Sequence, residues 1–207
     1  MSEPERQRRC VFVVGPESSG SMLAAKIVAH VLGVRAYGQW DPPVGWSHSD
    51  LPQGHVSDAA HASAVAARID TVCHRSLPYG RDGDQYPDID QWRWLNRDAA
   101  CQFVITTRDV SIVDRSKRAR FRRSEALCRD NRERSRQFIA DIVERKLPCF
   151  IWSYETLVYL RDDYLAQLYG FLGVPSAFVP PDLFDGNEKY VLGDGGLPGL
   201  AQIDQDE

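Results

Sequence analysis

Residues Gly15-Pro16-Glu17-Ser18-Ser19-Gly20-Ser21-Met22 are where residue types and spacing first suggest chemistry. The two glycines are spaced as in the phosphate loop G-x-x-x-x-G-K-[ST], yet Ser21 and Met22 stand where the lysine and the Mg²⁺-holding hydroxyl belong. The loop can still bind an anion. Backbone N–H groups converge where a strand turns into a helix, and the helix dipole favours negative charge there. Ser18, Ser19 and Ser21 add hydroxyls, and Gly20 allows close backbone approach. The missing lysine weighs against ATP hydrolysis or kinase chemistry. The competing reading is an ordinary β-turn-α connection, which also tolerates Gly and Pro.

Two further groups of residues carry chemistry. Arg108 follows the apolar run Cys101–Thr107, at a strand end where α/β sheets place ligand residues, and Ser116 lies eight positions on, about two helical turns later. The guanidinium can chelate a phosphate bidentately while the serine hydroxyl donates to the same group. His74 and Arg75 occur in TVCHRSLPYG; an imidazole suits a proton acceptor and Arg75 an anion clamp. Glu17 is the rival base, with helix-dipole complementation as its structural alternative. His48, His55 and His61 are too far apart for a metal-ligand pattern, and no metal site is expected.

Together, the Gly15–Met22 loop and the Arg108–Ser116 pair resemble the sulfotransferases that use 3′-phosphoadenosine 5′-phosphosulfate (PAPS). In that family a loop of the form G-x-P-R-S-G-T-T cradles the 5′-phosphosulfate, and an Arg with a Ser eight positions later holds the 3′-phosphate. The stretch FIWSYETLVYLRDDYLAQLYGFLGV is similar to the family's strand, Tyr-Glu turn and closing helix, so the resemblance spans about Val11 to Val174. It implies an α/β, P-loop-type three-layer fold with a mainly parallel sheet flanked by helices. It implies PAPS as sulfuryl donor, bound through Ser18, Ser19, Gly20, Ser21, Met22, Arg108 and Ser116, with Tyr154 beside the adenine. His74 corresponds to the family's catalytic histidine in one register; aligning on Leu77-Pro78 puts Ser76 there instead.

The loop departs from the family at Ser18, where a basic residue is usual, and at Met22, which contributes only a backbone N–H. Arg75, Lys26 or an arginine of the basic run would have to substitute. The alternatives are a P-loop ATPase or kinase, with Asp109 on its metal side, and a degenerate, non-catalytic nucleotide-binding domain.

The elements that must position these residues follow from pattern. Cys10–Val14, Val34–Gly38, Asp70–His74, Cys101–Thr107 and Cys149–Tyr154 read as short strands. Helical spacing covers Ser21–Gly33, Asp58–Arg68 (with Ser57 as N-cap), Pro87–Asn96, Val110–Ala119, Ser124–Arg145 and Arg161–Gly173. The segment from Gly38 to Val56 reads as an irregular loop, where Trp40 and Trp46 offer stacking faces to an acceptor. One domain over 1–207 is expected, with a core at about 10–175 and a loosely docked tail over 176–207.

Composition narrows the partners. The chain is 207 residues long with a formal charge of −4, yet ten of its 25 Lys and Arg residues fall in Arg115–Arg136. That run is either a solvated face, with Glu125, Asp130 and Glu133 pairing some arginines, or a local field for an anion. Nucleic acid is not expected as a partner, because few aromatics interleave the run. The expected acceptor is a hydroxylated small molecule or carbohydrate. The scattered, odd-numbered cysteines, the absence of a long apolar span and the polar start imply a cytoplasmic protein without membrane association.

Overall fold

The computed structural model describes residues 7–34, 70–79, 85–181 and 183–191. Four strands, β1 (Arg9–Pro16), β2 (Thr71–Leu77), β3 (Ala100–Thr107) and β4 (Cys149–Ser153), form one sheet in the order β2-β1-β3-β4. Every ladder is parallel. The helices are α1 (Ser21–Leu32), α2 (Ile89–Leu95), α3 (Val110–Phe121), α4 (Glu125–Glu144), α5 (Tyr154–Leu172) and the short α6 (Glu188–Val191).

A parallel sheet is covered on both faces, which explains why β1 and the second half of β3 read as continuous apolar runs. Val11 and Val13 face a core built with Ala24, Ala25, Ile27 and Val28 of α1 and Leu165, Leu168 and Leu172 of α5. Phe12 and Val14 face the other side, with Ile89 and Trp92 of α2 and Ile142 of α4. The Phe12 ring stacks on Trp92 at 4.8 Å. Each such side chain removed from water contributes about 1.5–3 kcal/mol before entropy is set against it. The result is the expected three-layer α/β arrangement.

The strand order also fixes where a ligand would sit. From β1 the chain passes to β2 on one side, whereas from β3 it passes to β4 on the other. The connections therefore diverge between the carboxyl ends of β1 and β3, the switch point at which open α/β sheets bind ligands. The loop Glu17–Gly20 and Arg108 leave those two strand ends.

Two expectations differ in detail. The strand containing His74 continues to Leu77, because Ser76 and Leu77 still pair with Gly15 and Pro16 of β1. His74 therefore lies in mid-strand; buried Arg75 broke the apolar pattern that would have marked the extension. The last long helix begins at Tyr154, capped by the Ser153 hydroxyl, which accepts from Thr156 N at 3.1 Å. Arg161, where the sequence pattern begins the helix, is a kink with φ 44°. The expected second strand from Arg35 onward, the helix Asp58–Arg68, and Trp40, Trp46, His48, His55 and His61 lie outside the described residues.

Part of the expected tail returns to the body of the protein. The Phe178 ring stacks on His30 at 3.9 Å, and its carbonyl accepts from Tyr169 Oη at 2.7 Å. Residues 186–190 reach Arg108, Ser116 and Tyr154.

Candidate functional site

The loop is built around close backbone approach. A Cβ at Gly15 would lie 2.0 Å from Thr106 Oγ1 and 2.4 Å from the Thr106 carbonyl oxygen, so only glycine lets β1 end against β3. Ser19 is fully buried: its hydroxyl meets Thr106 Oγ1 at 2.6 Å and its N–H donates to Pro16 O at 3.0 Å. Ser19 therefore anchors the loop. Gly20 caps α1 with φ 82°, and a Cβ there would also strike the Tyr154 ring at 2.9 Å. The first amides of α1 have no helical acceptor of their own, which leaves them for an anion. Met22, half-buried, packs its side chain into the α1-side core.

Ser18, with φ 67°, is the residue on which the separate elements converge. Arg108 Nη1 donates to its carbonyl at 3.1 Å, and Ser116 Oγ donates to its hydroxyl at 3.0 Å. The Arg108 guanidinium lies over the Tyr154 ring at 4.3 Å, while its Nε donates to Asn187 Oδ1 at 2.6 Å. Tyr190 Oη donates to Ser116 Oγ at 3.0 Å. Tyr154 Oη donates to Phe184 O and accepts from Gly186 N. Its ring is thus an internal floor for Arg108. Glu155 Oε1 accepts from Asp109 N at 2.9 Å and from Asn187 Nδ2 at 3.2 Å. The Asp109 carboxylate itself caps α3, accepting from Ser111 N and Ile112 N.

The two predicted bases take different positions. His74 projects toward α1, with Nε2 at 2.9 Å from Ser21 Oγ, in register with Val13 and thus below the loop. Ser76 is paired with Gly15, nearer the loop. Strand alternation sends Arg75 to the opposite face, where its guanidinium covers the Tyr79 ring at 4.3 Å. The structure therefore brings His74 to Ser21 but separates it from Arg75. Glu17 stands at the loop itself, buried, with Oε1 3.7 Å from Arg123 Nη2. Its Oε2 is buried and finds no hydrogen-bond partner among the described residues.

The basic run divides. Arg129, Arg134 and Arg136 form exposed helical pairs with Glu125, Asp130 and Glu133, of the kind worth little to stability. Arg123 and Lys117 instead turn inward, Arg123 onto Glu17 and Lys117 into full burial. Burial pushes the Lys117 ammonium below the ordinary lysine pKa, with Glu17 the strongest opposing influence. Lys26, the other loop-side cation considered, is half-buried in the second turn of α1.

Sequence reasoning did not single out Lys117, Thr106, Asn131, Asn187 or Tyr190. The Lys117 signal was present: Ile112, Val113, Ser116 and Lys117 fall at i, i+1, i+4 and i+5, one buried helix face. The contacts of Asn187 and Tyr190 depend on how the chain folds back after α5, which no local pattern encodes.

No protein-family model matches this chain, and neither does any curated protein sequence. No helix among the described residues is long and apolar enough to cross a membrane.

Proposed function

We propose that this protein is a PAPS-dependent sulfotransferase acting on a hydroxyl of a small molecule or carbohydrate. The observation that carries the reading is the meeting at Ser18: Arg108 and Ser116, the pair expected to hold a 3′-phosphate, both bond the loop expected to hold the phosphosulfate. The switch-point location and the free first amides of α1 support it further. The reading includes a cytoplasmic setting, supported by five cysteines that are all free thiols.

In the reaction the acceptor oxygen bonds to sulfur as the sulfur–oxygen bond to the 5′-phosphate breaks, its electron pair leaving on the phosphate oxygen. The protein's part is positioning and electrostatics, as in phosphoryl transfer. Loop amides and Ser21 hold the anion at the start of α1, while Arg108 and Ser116 fix the nucleotide end. Glu17 takes the hydroxyl proton, since Oε2 has an unused acceptor position. His74 orients Ser21, to which it is already bonded.

Calorimetry with 3′-phosphoadenosine 5′-phosphate and with Mg·ATP tests the reading. The expected result is a preference for the bisphosphate, weakened about tenfold to a hundredfold by Arg108→Ala through loss of a charge-assisted contact. Preference for Mg·ATP would assign the site to an ATPase or kinase. Binding of neither would make the domain non-catalytic.

A further inference from the structure

Beside the loop lies a buried positive charge that no described residue pairs with. Five charged groups meet between α3, α4 and the loop: Glu17, Asp114, Lys117, Arg123 and Arg132. The two carboxylates are each matched by arginine, Glu17 by Arg123 at 3.7 Å and Asp114 by Arg132. Lys117 is only 1% exposed and forms no ion pair with a described residue. Of these five groups, Lys117 is the one without an ion pair among the described residues, and it is the most deeply buried. A buried ion without a counter-charge is strongly destabilising, so its retention calls for a ligand.

Other polar atoms of the loop and α4 are also unsatisfied. Glu17 Oε2 and both side-chain polar atoms of Asn131 are buried without hydrogen-bond partners among the described residues. Asn131 is fully buried and one helical turn before Ser135. Ser135 Oγ donates to Leu77 O, the same carbonyl that accepts from Glu17 N. Asn131 therefore shares the inward side of α4 with a residue that touches the base of the loop. Unpaired buried polar atoms are rare, and here they come from both the loop and the facing side of α4. An ammonium and an amide N–H₂ ask for acceptor oxygens, whereas a free carboxylate oxygen asks for a donor. A tetrahedral oxyanion beside a hydroxyl supplies both.

We propose that Lys117 is the anion-binding cation of this site, supplied from α3 in place of the basic side chain absent at Ser18, and that it holds an oxyanion of the sulfate or phosphate class against the loop. The hydrogen bond from Ser116 to Ser18 brings this turn of α3 to that position. That the oxyanion is the transferring sulfonate rests on the sulfotransferase reading; that an anion binds at Lys117 does not. On that reading Lys117 faces the sulfonate while Arg108 and Ser116 face the other end of the donor.

Two measurements on the full chain test this. In the first, thermal unfolding of wild type, Lys117→Met and Lys117→Arg is followed in sodium sulfate and in sodium chloride of equal ionic strength. Wild type gains a sulfate-specific rise in Tm, Lys117→Arg keeps part of it, and Lys117→Met loses it. Without sulfate, Lys117→Met unfolds at the same or a higher temperature, because a buried charge has been removed. In the second, calorimetry of Lys117→Met shows PAPS weakened about tenfold to a hundredfold, with the desulfated bisphosphate little changed. A sulfate response in Lys117→Met equal to wild type overturns the proposal. So does a lowered Tm accompanied by equal loss of both nucleotides, which would make Lys117 structural. If neither nucleotide binds wild type while sulfate protection still requires Lys117, the sulfotransferase reading fails and the anion site stands.

Discussion

Replacing Gly15 with alanine would place a methyl group 2.0 Å from Thr106 Oγ1 and 2.4 Å from the Thr106 carbonyl oxygen. Both separations are far inside van der Waals contact, and the second is to backbone. The Thr106 side chain could rotate, but its carbonyl belongs to β3, which is hydrogen-bonded to β1 on one side and β4 on the other. Relief therefore requires the ends of β1 and β3 to separate. Such overpacking costs about 3 kcal/mol, toward the upper end for small-to-large core changes. For a chain of this size that lowers Tm by about 6–12 °C. Gly15→Ala in a Thr106→Ala background sharpens the reasoning, since only the 2.0 Å contact disappears. The double mutant should recover part of the loss but not all, and differential scanning calorimetry reads both. A Gly15→Ala protein with wild-type Tm would refute the close-approach account. Complete rescue by Thr106→Ala would refute the role given to the carbonyl. Because Ser19 Oγ lies 2.9 Å from the same Cβ position, the loop should also distort, and bisphosphate affinity should fall with stability.

Two further predictions concern the proton and the buried charge. Glu17→Gln should lower turnover with little change in donor affinity, whereas His74→Ala should act mainly on donor binding through Ser21; steady-state kinetics with calorimetry separates them, and the reverse pattern would reassign the base to His74. Lys117 should also make stability depend on pH in a defined direction. Its pKa is lowered by burial, with Glu17, Cys128 and Asp114 acting to raise it and Arg123 to lower it. Between that lowered value and the ordinary value of about 10.4, the unfolded chain binds more protons than the folded one, so stability rises with pH. Lys117→Met lacks this gain. Its stability advantage over wild type, followed by urea unfolding, should narrow as pH rises toward 10.4; an advantage constant with pH would mean that Lys117 carries no charge-burial penalty.

Much of the framework was legible locally because local physics sets it. The run Cys10–Val14, its Gly-containing turn and the helical spacing from Ser21 specify strand, loop and helix by periodicity and by the backbone freedom at Gly20. Arg108 after β3 was likewise readable, since a strand end in a parallel sheet has a known relation to ligands. Less legible were the end of β2, disguised by buried Arg75, and the Arg161 kink inside α5. Both reflect tertiary packing overriding a local pattern.

The sequence alone determined that a phosphate-type loop without its lysine opens a helix, and that an arginine and a serine stand eight residues apart further along. Chain spacing cannot say that Ser18 lies under both of them across 90 and 98 residues. Strand order decides that, by setting the ends of β1 and β3 side by side. Nor can composition separate Lys117 from the exposed arginines around it. Only the packing of α3 against α4 and the loop makes one member of a basic run a buried charge with no ion pair among the described residues, because the cost of a charge depends on what surrounds it.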